Sequence, residues 1–125
     1  MRRGNRAAAL AGVAVVLAGC GGHAKPAPSR AEFVAAADAA CGSARTPQAR
    51  YAALLDLRRP RDERALVERW LRAERTVLRA GQHLRDATPE DDRTLLEILL
   101  VVARSKAEGY ALRLGAKGCA AQLDR

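Results

Sequence analysis

The amino-acid sequence predicts an all-α fold, a small bundle of about four helices, one of them short, cross-linked by one disulfide bond. Of the 125 residues, 49% are hydrophobic but only 3% are aromatic. Alanine and leucine supply most of the apolar residues, whereas β-branched residues are few outside the first twenty positions and the run near Val101. Such a composition favours helices over strands. Serine, threonine, proline and glycine residues then mark where each helix begins and ends.

The first twenty residues have the pattern of an export signal. Three arginines within the first six positions precede an apolar run over residues 7–18. This run of about a dozen residues is too short to span a bilayer comfortably. Small residues at Ala18 and Gly19 suit a cleavage site. The pattern predicts a signal peptide that ends just before Cys20. An ordinary signal peptide with a chance cysteine, or an uncleaved anchor, are the alternatives.

The stretch Leu17-Ala18-Gly19-Cys20 resembles the lipobox of bacterial lipoprotein precursors. The resemblance implies that residues 1–19 are removed, that the Cys20 thiol carries a diacylglyceryl group, and that the new terminal amine can be acylated as well. Two or more acyl chains give stable anchoring, because each buried methylene contributes about 0.8 kcal/mol. The resemblance therefore places the protein on the extracytoplasmic face of the cell membrane, held there by lipid.

Residues 20–30 are predicted to be the lipidated cysteine and a flexible linker, and residues 31–125 the helical domain. Pro26 and Pro28 favour extended backbone in the linker. Ten such residues reach at most about 30 Å, so we expect the domain to lie close to the membrane.

Two helices are predicted at the start of the domain. Ser29 and Glu32 have the spacing of a capping box, which opens the first helix. Glycine and proline argue against one uninterrupted helix, so the first helix is expected to end near Gly42. Thr46 can cap a short second helix with Pro47 at its first position. This second helix is expected to stop before the next proline.

The third helix is predicted to open at Pro60 and to bury one continuous apolar seam. Apolar residues recur there in steps of three and four, namely Leu66, Trp70, Ala73, Val77, Ala80 and Leu84. A lone tryptophan on such a seam is more often a core residue than a ligand platform, so we interpret Trp70 as core.

The opposite face of the third helix carries a basic strip of Arg72, Arg75 and Arg79. A charge run of this kind is usually a solvated face. The alternative is contact with an anionic membrane surface or envelope polymer, which would supply the opposite charge.

The fourth helix is predicted to begin at Thr88, with Glu90, Asp91 and Asp92 complementing the helix dipole in its first turn. Three adjacent carboxylates diverge around a helix axis and make a poor calcium site, so no metal site is predicted. The seam is expected to comprise Leu96, Leu99, Ala103, Ala107, Tyr110 and Leu114.

The segment 98–103 of the fourth helix is apolar on every side and is predicted to be the most buried part of the domain. Gly115 and Gly118 are expected to terminate the helix. Residues 119–125 are then expected to form a short tail.

A disulfide bond is predicted between Cys41 and Cys119. Lipidation would use Cys20, which leaves an even pair in an oxidising compartment. A break in the helix after Gly42 lets the end of the first helix lie beside the tail of the fourth. Two free thiols are the alternative.

The sequence offers no constellation of catalytic or metal-ligating residues, so the protein is not predicted to be an enzyme and no cofactor is expected. No glycine-rich phosphate loop follows a strand, and no paired cysteine or histidine spacing is typical of zinc. Ser43 and Ser105 lie in no nucleophile motif.

Without the three signal-peptide arginines, the chain has 19 basic and 14 acidic residues. An exported domain has little opportunity to meet nucleic acid, so this excess does not predict nucleic-acid binding.

A second resemblance involves the predicted mature chain, which begins at Cys20. The stretch 36–41, two long helices rich in alanine, leucine and arginine, and Gly118-Cys119-Ala120 resemble small helical lipoproteins of high-GC Gram-positive bacteria. That family carries no established activity and so implies no site residues. A non-catalytic envelope protein that presents a helical surface to a protein partner is the leading hypothesis. A carrier or sensor of a small apolar ligand or lipid is the alternative, and it requires an apolar cavity beside Trp70.

Overall fold

The computed structural model describes residues 25–123, and the predicted all-α class is confirmed over that range. Five helices form rather than about four: α1 (Arg30–Ser43), α2 (Pro47–Leu55), α3 (Arg64–Arg85), α4 (Arg93–Leu114) and α5 (Lys117–Gln122). The long helices α3 and α4 pack against each other along their length, and α5 packs against both α1 and α4. The proposed lipid attachment site, Cys20, lies outside the described residues.

The starts of α1 and α2 are as predicted. The Ser29 side chain accepts a hydrogen bond from the amide of Glu32 at 3.1 Å. The Thr46 hydroxyl accepts one from the amide of Ala49 at 3.1 Å, and Pro47 occupies the first turn of α2. Each bond satisfies an amide that has no partner within its own helix.

Helix α3 begins at Arg64, so the predicted start at Pro60 is wrong. Pro60 is fully buried and belongs to the turn between α2 and α3. Glu63, at the cap position, makes no capping bond through its side chain. Its carboxylate instead accepts a hydrogen bond from Arg30 at 3.1 Å, which joins this turn to α1.

Helix α4 begins at Arg93, so the predicted cap at Thr88 is also wrong. The amide and the hydroxyl of Thr88 both donate to the carboxylate of Asp91, at 2.7 and 3.0 Å, and close a separate turn. These bonds lower the pKa of the Asp91 carboxyl. Asp92 caps α4 by accepting from the amide of Leu95 at 3.0 Å. The acidic run therefore supplies a turn and the α4 cap. Its predicted place in the first turn of the helix is wrong, because α4 begins after it.

The predicted disulfide bond between Cys41 and Cys119 is confirmed, with an S–S distance of 2.11 Å. Residues 119–122 of the predicted tail belong to α5, so the expectation that Gly118 helps to terminate α4 is wrong. Gly115 ends α4 with a φ of 91°, a left-handed conformation that glycine adopts without strain. The amide of Cys119 donates to Asp38 at 3.0 Å, so α1 caps the start of α5.

The domain has one main core. Trp70 is completely buried and meets Phe33 edge to face, with 6.3 Å between ring centroids. The interpretation of Trp70 as a core residue is therefore confirmed. A second cluster, including Val77, Ala103 and Ala107, continues the α3–α4 contact.

The expectation that residues 98–103 are the most buried part of the domain is wrong. Leu100 and Ala103 are buried, but Ile98, Val101 and Val102 are more than half exposed. Leu99 is also exposed, and Leu100 takes its predicted place in the seam. Helix α4 buries only the side that faces α3 and α5, so the remainder of this apolar segment points outward.

Candidate interaction surface and buried polar cluster

The most unusual surface feature is an apolar patch on the first half of α4, which we name the α4 strip. Its members are large hydrophobic side chains with exposed fractions of 49 to 62%: Leu95, Ile98, Leu99, Val101 and Val102. Four of them follow the spacing i, i+3, i+4 and i+7, which places them on one helix face. Scattered exposed apolar residues are ordinary, but a contiguous patch is typical of an interaction site.

The α4 strip has polar borders. Arg93 and Glu97 form an ion pair at 3.2 Å on one flank. Beyond the strip, the same helix side continues with Ser105 and Lys106 before the exposed Leu112. An apolar centre with a polar rim is the usual composition of a protein interface.

The structure places Arg72, Arg75 and Arg79 together on the exposed face of α3. Within residues 25–123, none of the three takes part in an ion pair. The neighbouring Glu68 lies 3.4 Å from Arg59 and 4.0 Å from Arg64. The basic strip is therefore a solvated surface whose charge the described residues do not neutralise.

Beneath this surface lies a buried polar cluster that the sequence analysis did not identify. The carboxylate of Glu74, which is 2% exposed, accepts a hydrogen bond from the Trp70 indole at 3.1 Å and another from Arg50 at 3.0 Å. Burial raises the pKa of the Glu74 carboxyl, while the Arg50 charge and the two hydrogen bonds oppose that rise. One signal was present in the sequence, because Glu74 lies four residues after Trp70 and therefore on the same helix side.

An open cavity of about 290 Å³ adjoins this cluster. Arg45, Arg50 and Arg104 line it, together with Thr46 at the start of α2 and Gln122 at the end of α5. The disulfide bond holds α1 beside α5, so it also holds two walls of the cavity together. No local sequence pattern indicates this site, because its residues come from distant parts of the chain.

Between residues 25 and 123, no group of three histidine, cysteine, aspartate or glutamate side chains is placed to hold a metal ion. No helix in that range is long and apolar enough to cross a membrane.

The segment just before α1 is held by Arg58, which donates hydrogen bonds to the carbonyl groups of Lys25 and Pro26.

No family model matches the chain, and the searches of curated proteins and of solved structures found no match either.

Proposed function

We propose that this chain is a lipid-anchored protein of the extracytoplasmic membrane face that presents α4 to a protein partner and catalyses no reaction. The observation that carries the proposal is the α4 strip. Its five large hydrophobic side chains are about half exposed in a domain that has only a small core. Burying apolar surface is favourable by about 25 cal/mol per Å², so a partner that covers the strip gains free energy from it.

The occupant that fits the strip is an apolar face of a helix in the partner protein. Anchors spaced at i, i+3, i+4 and i+7 pack against a helix or a helical groove. The Arg93–Glu97 pair at the border then contributes specificity through its charges, while the apolar centre contributes most of the affinity.

The packing around Trp70 supports a partner binder over the alternative of a carrier for an apolar ligand. The ring is fully buried, its edge meets Phe33, and its N–H group is bound by Glu74. The cavity that adjoins this cluster is lined by three arginines as well as by apolar side chains, so its charged wall opposes a purely apolar ligand.

Site-specific photocrosslinking of the full chain in its native envelope tests the α4 surface. We expect a photoreactive residue at Val102 to capture one discrete protein, and the same residue at Arg79 on α3 to capture none. Ile98→Glu should abolish the Val102 adduct, because a buried unpaired carboxylate opposes docking. Thr76→Glu, which places the same carboxylate on the exposed face of α3, should retain it. Lipid adducts alone, or a protein adduct that survives Ile98→Glu, would contradict the proposal.

The anchor is tested separately. Cys20→Ala should abolish lipid labelling and membrane retention, because acyl chains supply the anchoring free energy. Ile98→Glu is the matched control and should retain both. Retention of the Cys20→Ala protein after a high-salt wash would show that the lipobox interpretation is wrong.

A further inference from the structure

The cavity between α2, α3, α4 and α5 has an uncompensated positive charge. Arg45, Arg50 and Arg104 line it, and its described lining includes no acidic residue. Glu74 neutralises Arg50 through the buried ion pair. Within residues 25–123, Arg45 and Arg104 belong to no ion pair. Two guanidinium charges therefore remain for whatever occupies the cavity.

Arg50 provides a second, independent indication of a ligand. Its side chain is about nine-tenths buried, and its Nε is buried without a hydrogen-bond partner in the described structure. Buried N–H groups without an acceptor are rare, and a missing ion or water is a common explanation. Arg50 also lines the cavity, so a bound anion would lie beside this guanidinium group.

We propose that this cavity binds a compact molecule bearing a phosphate group. A phosphate monoester dianion matches the two remaining guanidinium charges, and planar guanidinium groups pair well with phosphate oxygens. The start of α2 at Pro47 lies on the cavity wall and adds the partial positive charge of a helix N-terminus. Thr46 and Gln122 provide neutral polar contacts.

The size and lining of the cavity limit the ligand. Its volume of about 290 Å³ is at the lower end of small-molecule sites, which run from about 300 to 1,000 Å³. It therefore fits a phosphate with a short substituent, such as glycerol 3-phosphate, and has no room for an acyl chain. A phosphate monoester can come from a soluble ester or from the headgroup of phosphatidic acid, and both offer the same three non-ester oxygens.

Calorimetric titration of the full chain in neutral detergent with glycerol 3-phosphate, at fixed ionic strength, tests the site. We expect saturable binding at one site. Arg45→Gln and Arg104→Gln should each weaken it about tenfold or more, because each removes a charge-assisted hydrogen bond. Arg79→Gln removes the same charge from the exposed face of α3 and should leave the affinity unchanged. Unchanged melting temperatures in all three variants would show that the fold is retained.

A vesicle arm distinguishes the two sources of phosphate. Binding to phosphatidic acid vesicles, but not to phosphatidylcholine vesicles, that requires Arg45 and Arg104 would assign the phosphate to a lipid headgroup. Binding of glycerol 3-phosphate alone would assign it to a soluble ester. The proposal is overturned if neither probe binds, or if Arg79→Gln weakens binding as much as the cavity variants do.

Discussion

The guanidinium group of Arg50 and the carboxylate of Glu74 form an ion pair inside the protein, with 3.0 Å between Nη2 and Oε2. The pair joins α2 to α3 across 24 residues of sequence. Trp70 binds the second oxygen of the same carboxylate. Because both charges are removed from water, each needs the other to offset its desolvation.

We expect Glu74→Ala to lower the free energy of unfolding by about 3–5 kcal/mol, because it leaves a buried guanidinium group and a buried indole N–H unpaired. Glu68→Ala is the matched control. Its carboxylate is about half exposed between Arg59 and Arg64, so removing it should change stability by about 1 kcal/mol or less. Urea unfolding of both variants measures the difference. Equal effects would mean that the buried pair is no more important than a surface pair.

The same carboxyl group should make stability depend on pH. Burial raises the pKa of Glu74 above its usual value of 4.5. Between that value and the folded-state pKa, the folded protein binds a proton that the unfolded chain has released. The free energy of unfolding should therefore fall as pH rises through this window and level off above it.

Glu74→Gln tests this dependence, because glutamine does not titrate and its amide oxygen can still accept from Trp70. We expect the variant to lose the fall in stability that begins near pH 4.5. Glu68→Gln should retain it. Unfolding curves collected from pH 4 upward measure the slope. A slope that is the same in Glu74→Gln and in the wild type would assign the pH dependence to other groups.

Local sequence chemistry predicted α1 and α2 well because their caps, Ser29 and Thr46, act on amides three residues away. The predicted cap of α4 at Thr88 was wrong because Asp92, four residues later, is also of a residue type that caps helices. The bonds from Thr88 to Asp91 decide between them. Such a choice depends on geometry that a residue pattern does not contain.

The exposed and buried sides of α4 could not be assigned from the sequence for a different reason. A segment that is apolar all round has no preferred inner face, so only the position of α3 selects Leu100 over Leu99. The Arg50–Glu74 pair raises a similar difficulty. The spacing from Trp70 places Glu74 on the buried side, but nothing local identifies a partner on another helix.

Two substitutions in α4 test which side of this helix is buried against α3. Leu100→Ala should lower the free energy of unfolding by about 2–5 kcal/mol, because it leaves a cavity against α3. Ile98→Ala, on the 53% exposed side, should change it by about 0.5 kcal/mol or less. Chemical unfolding measures both. A larger loss for Ile98 than for Leu100 would mean that α4 is rotated relative to the described packing.

Gly118 is expected to be required for the contact between α1 and α5. A Cβ atom there would lie 2.9 Å from the Asp38 side chain, so Asp38 would have to move and release the amide of Cys119. We expect Gly118→Ala to lower the free energy of unfolding by about 1–3 kcal/mol. Gly109→Ala meets nothing within 4 Å and should instead stabilise α4 by about 0.5–1 kcal/mol.

A double variant separates the crowding at Gly118 from any other effect. In an Asp38→Ala background, the added methyl group of Gly118→Ala has room, so its effect should vanish or become stabilising. Thermal unfolding of the four proteins in this cycle gives the coupling free energy. Additive effects would show that Asp38 is not what the methyl group meets.

The disulfide between Cys41 and Cys119 should be among the largest single contributions to stability. It closes a segment of 78 residues, for which the chain-entropy model gives about 4.5 kcal/mol, and measured losses for small secreted domains are about 2–5 kcal/mol. The Cys41→Ala, Cys119→Ala double variant should therefore unfold at much lower denaturant concentration than the oxidised wild type. Reduction should lower the midpoint of the wild type and leave that of the double variant unchanged. Cys20→Ala is the control and should lose stability only on reduction.

Mass analysis after alkylation without reductant should find neither Cys41 nor Cys119 modified. Alkylation of both would show that the protein carries free thiols, and the two walls of the arginine-lined cavity would then lack their covalent link.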